Sequence, residues 1–227
     1  SFIGCSSIEQ IEIPQSVTII GKGSFSGCTS LIDLKIPPLV SSIENYTFYG
    51  CSSLKQIEIP SSVTLIGDNA FDGCSKLKQV TIPSLVESLG EYAFNECSAL
   101  EQITLSPSIT SIGRRTFSGC RSLKKIDIPS NVTEIGSYAF NECSLLKQIV
   151  IPPSATLIGS ETFAGCASLV TISIPSSVVS IGENAFERCF DLKGISIPHI
   201  TVIKNGVFAK CSSLTQLTIP STVISIG

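Results

Sequence analysis

Apolar residues return along this chain every 23 residues, and each return repeats one internal pattern. The stretch Cys51–Gly73, CSSLKQIEIPSSVTLIGDNAFDG, shows it. Leu54, Ile57 and Ile59 form L-x-x-I-x-I, whose end alternates apolar and polar with the period of two of a strand. Pro60 follows at once. It has no amide hydrogen to give a sheet, so it predicts the end of that strand. Ser61 and Ser62 read as a turn. Val63 and Ile66 then face inward, from a short second strand. Gly67 reads as a corner that needs either a positive φ or a close backbone approach. Ala70–Phe71 brings the chain back to the core, with Phe71 its largest filler.

The variation between units supports this map. The Ile59 position is Ile or Leu throughout, and so is the Ile66 position. The Ala70 position holds only Ala, Ser, Thr or Val, so neighbouring units are expected to crowd it. The Gly67 position relaxes to Glu44 and Lys204. One unit is a residue short between Pro198 and Phe208; a loss in a surface turn should leave the strands in register. A weaker period of 46 runs on top. Tyr46, Tyr92 and Tyr138 occupy alternate units, as do Asn95–Glu96 and Asn141–Glu142. Duplication of a two-unit block explains it, and so does a spaced aromatic binding row.

Self-similarity over the whole chain predicts a solenoid, in which each unit is too small to fold alone and is stabilised by its neighbours. Ten cysteines, Cys5 to Cys211, set about ten coils. The expected domain organisation is one array over residues 1–227. The chain has no Met, opens at Ser1–Phe2 inside a unit and stops at Ile226–Gly227 inside another. It therefore reads as part of a longer or processed protein. No polar cap is evident at either end, which predicts weak self-association.

Composition narrows the function classes. Hydrophobic residues are 43% and charged residues 15%, with a net charge of −3. There is no basic face of the kind nucleic-acid binders carry, so no nucleic-acid partner is expected. No apolar run approaches the ~18 residues of a membrane-spanning helix. The cysteines fall one per unit, without the C-x₂₋₄-C pairs of a zinc site, so no metal and no cofactor is expected. Two readings of the cysteine ladder stand. The thiols are small, buried and reduced, or neighbouring coils are joined by disulfides, since Cα atoms ~5 Å apart lie in the permitted window. His199 is the only histidine, and no paired carboxylates stand out, so neither a catalytic triad nor glycosidase chemistry is expected. The sequons Asn45-Tyr46-Thr47 and Asn131-Val132-Thr133 are compatible with glycosylation of a secreted eukaryotic chain.

The unit L-x-x-I-x-I-P-x-x-V-x-x-I-G-x-x-A-F-x-x-C-x-x resembles the 23-residue leucine-rich repeats of the BspA-like, Treponema pallidum-type family. The I-P, I-G, A-F and C positions recur together along essentially the whole chain. The resemblance implies a curved leucine-rich repeat solenoid with a parallel β-sheet on its concave face and little helix. It also implies a surface-exposed or secreted protein that adheres to host matrix or cell-surface proteins.

The outward side of the strands is the candidate ligand surface. Its first row contains Lys55, Lys78, Lys124 and Lys147. Its middle row contains Gln56, Gln79, Gln102, Lys125 and Gln148, and its third contains Glu58. The glutamines either form a structural amide ladder or line a polar groove for a protein or glycan. Few aromatics lie on this side, which points to weak, multivalent contact rather than a tight hot spot. A non-enzymatic binding and adhesion module is expected, with an intracellular scaffold as the other reading.

Overall fold

A computed structural model describes residues 1–227. The chain winds as a right-through stack of coils without any helix. Fourteen short strands, all paired in parallel, mark two sides of each coil. The first side carries the three-residue strands β3 (Gln79–Thr81), β4 (Gln102–Thr104), β7 (Gln148–Val150), β9 (Thr171–Ser173), β11 (Gly194–Ser196) and β13 (Gln216–Thr218). The second carries the two-residue strands β1 (Ser42–Ile43), β2 (Leu65–Ile66), β5 (Ser111–Ile112), β6 (Glu134–Ile135), β8 (Leu157–Ile158), β10 (Ser180–Ile181), β12 (Val202–Ile203) and β14 (Ser225–Ile226).

Register follows the repeat: Gln79 lies opposite Gln102 and Val80 opposite Ile103. The middle residue of most first-side strands is buried between two exposed ones, as alternation requires. The expected proline stop is present, and it also closes a turn: the Val63 amide donates to the Pro60 carbonyl at 3.0 Å.

A third side, around the phenylalanines, has no strands yet is hydrogen-bonded just as regularly. The Phe71 amide donates forward to the Ala93 carbonyl and the Phe94 amide to Thr116. On the strand sides most of these bonds run backward from the later coil, as from Lys55 to Ile32, while Ile82 donates forward to Thr104. Each coil therefore satisfies its neighbours in both directions, which is how so little formal strand leaves few buried polar groups unpaired.

The core is one continuous cluster of 61 buried residues. Phe2 to Phe208 form a single stack, with ring centroids 5.1–5.9 Å apart and planes within 18° of parallel. The crowded position beside each Phe is filled by Ala70 or Ala93, or by the buried Thr47, Thr116 and Thr162, whose hydroxyls donate to carbonyls three residues back.

Three expectations are refined. About eight turns are closed on both sides rather than ten: Cys28 to Cys189 are buried, whereas Cys5 and Cys211 lie in half-open terminal coils. The Gly67-type corner is a close-approach position, not a positive-φ one, because a Cβ on Gly182 would overlap the Ser160 amide nitrogen. Positive φ instead occurs just before each cysteine, at Gly73 or Glu96, and two residues before each Phe, at Asn69 or Tyr92. The shortened unit keeps register on the first side, where Gly194 pairs with both Thr171 and Gln216. On the second side it does not: β12 pairs with β14 but not with β10. The turn has contracted so that Ile200 donates to Pro198, two residues back instead of three, and that contraction withdraws one strand from its neighbour.

Candidate functional site

The exposed residues of the first side enclose a trough of about 1420 Å³ over the first five coils. Its floor is the strand face and its wall the Pro–Ser turns at Pro60–Ser61 and Pro83–Ser84. Four of the expected residues, Gln56, Glu58, Gln79 and Gln102, line it. Gln10, Glu12, Asp33 and Lys35 join them from the same outward rows, ahead of the stretch from about Gln56 to Gln148 expected to carry binding. Nothing but column membership signals these four, because the sequence does not say where the trough is deepest.

The remaining candidates are exposed but lie elsewhere. Lys55 lies on a shallower strip with Glu9 and Lys76, and Lys78 stands outside the trough. Lys124, Lys125, Lys147 and Gln148 follow a break in the sheet, because Lys125–Asp127 pairs with neither flanking strand. Lys124 is bridged to Glu101 at 3.1 Å and Lys125 to Asp127 at 2.9 Å. These pairs are exposed and worth at most ~1 kcal/mol. No glutamine side chain of the row hydrogen-bonds to another, so the amides at Gln56, Gln79 and Gln102 keep their donors and acceptors for solvent or a ligand.

The other chemistry weighed from the sequence resolves simply. All ten cysteines are free thiols. Each from Cys28 onward donates its hydrogen to the carbonyl of the phenylalanine in the preceding coil, as Cys74 does to Phe48 at 3.2 Å. Burial pushes these thiols up, Cys51 to about 12, and the fully buried Cys74 is raised in the same way. They are poor nucleophiles and poor metal ligands, since both roles need the thiolate. His199 is exposed in the contracted turn. In the first sequon Thr47 is buried, its hydroxyl donating to the Glu44 carbonyl at 2.7 Å.

With this geometry in place the comparisons are decisive for family. The model of the BspA-type leucine-rich repeat region, written for six copies, matches residues 1–124, 65–193 and 144–227. The chain belongs to the BspA-type leucine-rich repeat family. Among solved structures, this BspA-type chain is similar to the leucine-rich repeat protein of T. pallidum, at 35% identity and TM-score 0.63, covering 66% of this chain and 72% of that one. It is also similar to a leucine-rich repeat protein of Bacteroides ovatus, at 29% identity and TM-score 0.50, covering 96% and 82%. A third is described as a leucine-rich cell surface protein of Faecalibacterium prausnitzii, at 28% identity and TM-score 0.54, covering 95% and 83%. A comparison with curated proteins finds no match. No helix of this BspA-type array is long and apolar enough to cross a membrane.

Proposed function

We propose that this BspA-type array is a non-enzymatic protein-binding module of a surface or secreted protein, and that it serves adhesion through its first-side trough. The observation that carries the reading is the trough itself. It is a preformed, solvent-open strand face on which Gln56, Glu58, Gln79 and Gln102 are aligned by strict register and left unpaired. A rigid scaffold that presents uncommitted amides binds without first ordering them, which lowers the entropic cost of association. The surface location is supported by the Faecalibacterium neighbour, which is described as a cell surface protein. The polar lining and scarce aromatics favour modest affinity per site, multiplied by repetition.

The test is binding of the 227-residue chain to immobilised extracellular-matrix proteins, host cells and glycans. The control carries Gln56→Glu, Gln79→Glu, Gln102→Glu and Gln148→Glu together. Saturable binding to protein that the control loses is expected. Binding indifferent to the four changes would remove the trough from the account.

A further inference from the structure

Coil five, counted from Cys97, departs from the repeat at several positions at once. Ser106 stands where its neighbours carry the strand-ending proline. Its corner holds Arg114–Arg115 where flanking coils have Glu91–Tyr92 and Ser137–Tyr138. The second-side ladder is interrupted between Leu89 and Ile112, and the first-side ladder stops after β4. A Cβ on Gly113 would find nothing nearer than 3.5 Å, whereas at Gly90 and Gly136 the preceding backbone is in the way. In a solenoid, stacking alone asks every coil to be alike, so a coil that gives up stacking bonds has another demand on it.

The demand is visible at the corner. Tyr92, Arg115 and Tyr138 occupy equivalent left-handed positions in three successive coils, with φ of 58°, 53° and 61°. Their side chains stack as ring, guanidinium, ring. The Arg115 guanidinium lies 4.5 Å from the Tyr138 centroid and 5.7 Å from that of Tyr92. Arg114 lies 5.9 Å from Tyr92 and 5.8 Å from Tyr138. Two permanent positive charges are thus held together, and no carboxylate pairs with either. Of the carboxylates around the corner, Glu96 and Glu142 take Arg121, Glu161 accepts the Tyr138 hydroxyl at 2.9 Å, and Glu91, one coil back in the Arg114 column, bridges to neither arginine. Arg115 Nε is shut off from solvent with no acceptor. Aromatic faces stabilise a guanidinium but supply no lone pair, so the terminal Nη donors of both arginines remain unpaired and reachable from solvent.

We propose that Arg114 and Arg115, clamped between Tyr92 and Tyr138, form a second binding site, separate from the trough, that takes a carboxylate from an acidic segment of a partner protein. Paired guanidinium forks match the planar oxyanion of a carboxylate. The surroundings select an isolated charge over a polyanion. Along the same column the preceding coils present Asp68 and Glu91, and Glu161 flanks the other side. The next cation in the column, Lys22 over Tyr46 at 5.6 Å, is four coils away. A polysulfated glycan would cross those carboxylates, whereas a short acidic loop reaches the arginine pair alone.

The test titrates the intact chain at low salt with a blocked hexapeptide carrying two central glutamates, with its glutamine counterpart, and with heparin. The readout is the Nε–H resonance of Arg115 and the Tyr92 and Tyr138 ring signals. The glutamate peptide should move them saturably and the glutamine peptide should not. Arg114→Gln with Arg115→Gln should weaken the glutamate peptide by about tenfold or more, the scale of a lost charged hydrogen bond. If the double variant fails to fold, the exposed Arg114→Gln alone must still weaken it. The four-glutamine control must leave it unchanged, which separates this site from the trough. Silence of all three signals at millimolar glutamate peptide overturns the proposal, and heparin binding that the peptide does not displace replaces it with a sulfated-glycan site.

Discussion

The Cys97 thiol donates to the Phe71 carbonyl at 3.1 Å, across 26 residues of sequence and one coil of structure. The same carbonyl accepts the Cys74 amide from its own coil at 3.1 Å. Both lone pairs of a buried carbonyl are thereby used, one to close a turn and one to tie the next coil down. The bond repeats from Cys28–Phe2 to Cys211–Phe186. It explains why a residue as small as cysteine is kept at that position: alanine would fill less of the space and donate nothing.

The ladder makes the protein sensitive to alkali. Burial raises the folded thiol, to about 12 at Cys51, above the roughly 8.5 of an unfolded one. In that window the unfolded chain releases a proton the folded chain keeps, so the contribution is full below about 8.5 and is lost as pH rises toward 12. Each such thiol should cost about 1.4 kcal/mol per pH unit within the window. Urea midpoints at pH 7.5 and 10 should fall steeply for the intact chain. Cys51→Ala should be less stable at pH 7.5 but shallower in its pH dependence; an identical slope would show that the thiols do not carry it.

The phenylalanine stack couples neighbouring coils. Phe94 lies 5.1 Å from Phe71 and 5.9 Å from Phe117, fully buried. Phe94→Ala should cost about 3–5 kcal/mol. Phe71→Leu and Phe94→Leu together should cost less than the sum of the two alone, by about 0.5–1.5 kcal/mol, because each single change already breaks the shared contact. Chemical denaturation of the four chains measures it.

Two glycine positions should respond differently to the same methyl group. Gly182→Ala forces a Cβ into the Ser160 backbone and should cost about 1–3 kcal/mol through displacement of a neighbouring coil. Gly73→Ala meets no such obstacle and bears only the left-handed penalty of roughly 1–2 kcal/mol, since Glu96, Glu142 and Arg188 already occupy the equivalent positive-φ site. Crystal structures of the two variants would show a shifted coil in the first and an unchanged stack in the second.

The contracted turn at Pro198–Ile200 leaves a weak seam. Gly182 donates to Ile158 at 2.8 Å, but Lys204 has no such bond to Ile181. Hydrogen exchange should be faster at the Lys204 amide than at Gly182 or Gly159. Inserting one Ser after His199 restores the consensus spacing and should slow it; unchanged exchange would place the seam elsewhere.

Much of this was legible in the chain. The strands, the proline stop, the inward Val and Ile, the small residue beside each Phe and the exposed Lys–Gln row follow from period and residue size. The corner glycine was legible only as a choice between positive φ and close approach, because both favour the same residue. The cysteines likewise left thiol and disulfide open, since their spacing is the same in either state.

The sequence by itself determined that every coil repeats and which side chains point inward, because alternation and volume are local properties read 23 residues at a time. It did not determine where the repeats fail to pair. The seam between β10 and β12, the loosened fifth coil, the trough ending near Gln102 and the two arginines stacked between Tyr92 and Tyr138 are relations between coils. Small offsets in successive turns add along the stack, and only the three-dimensional path shows which hydrogen bonds survive the sum.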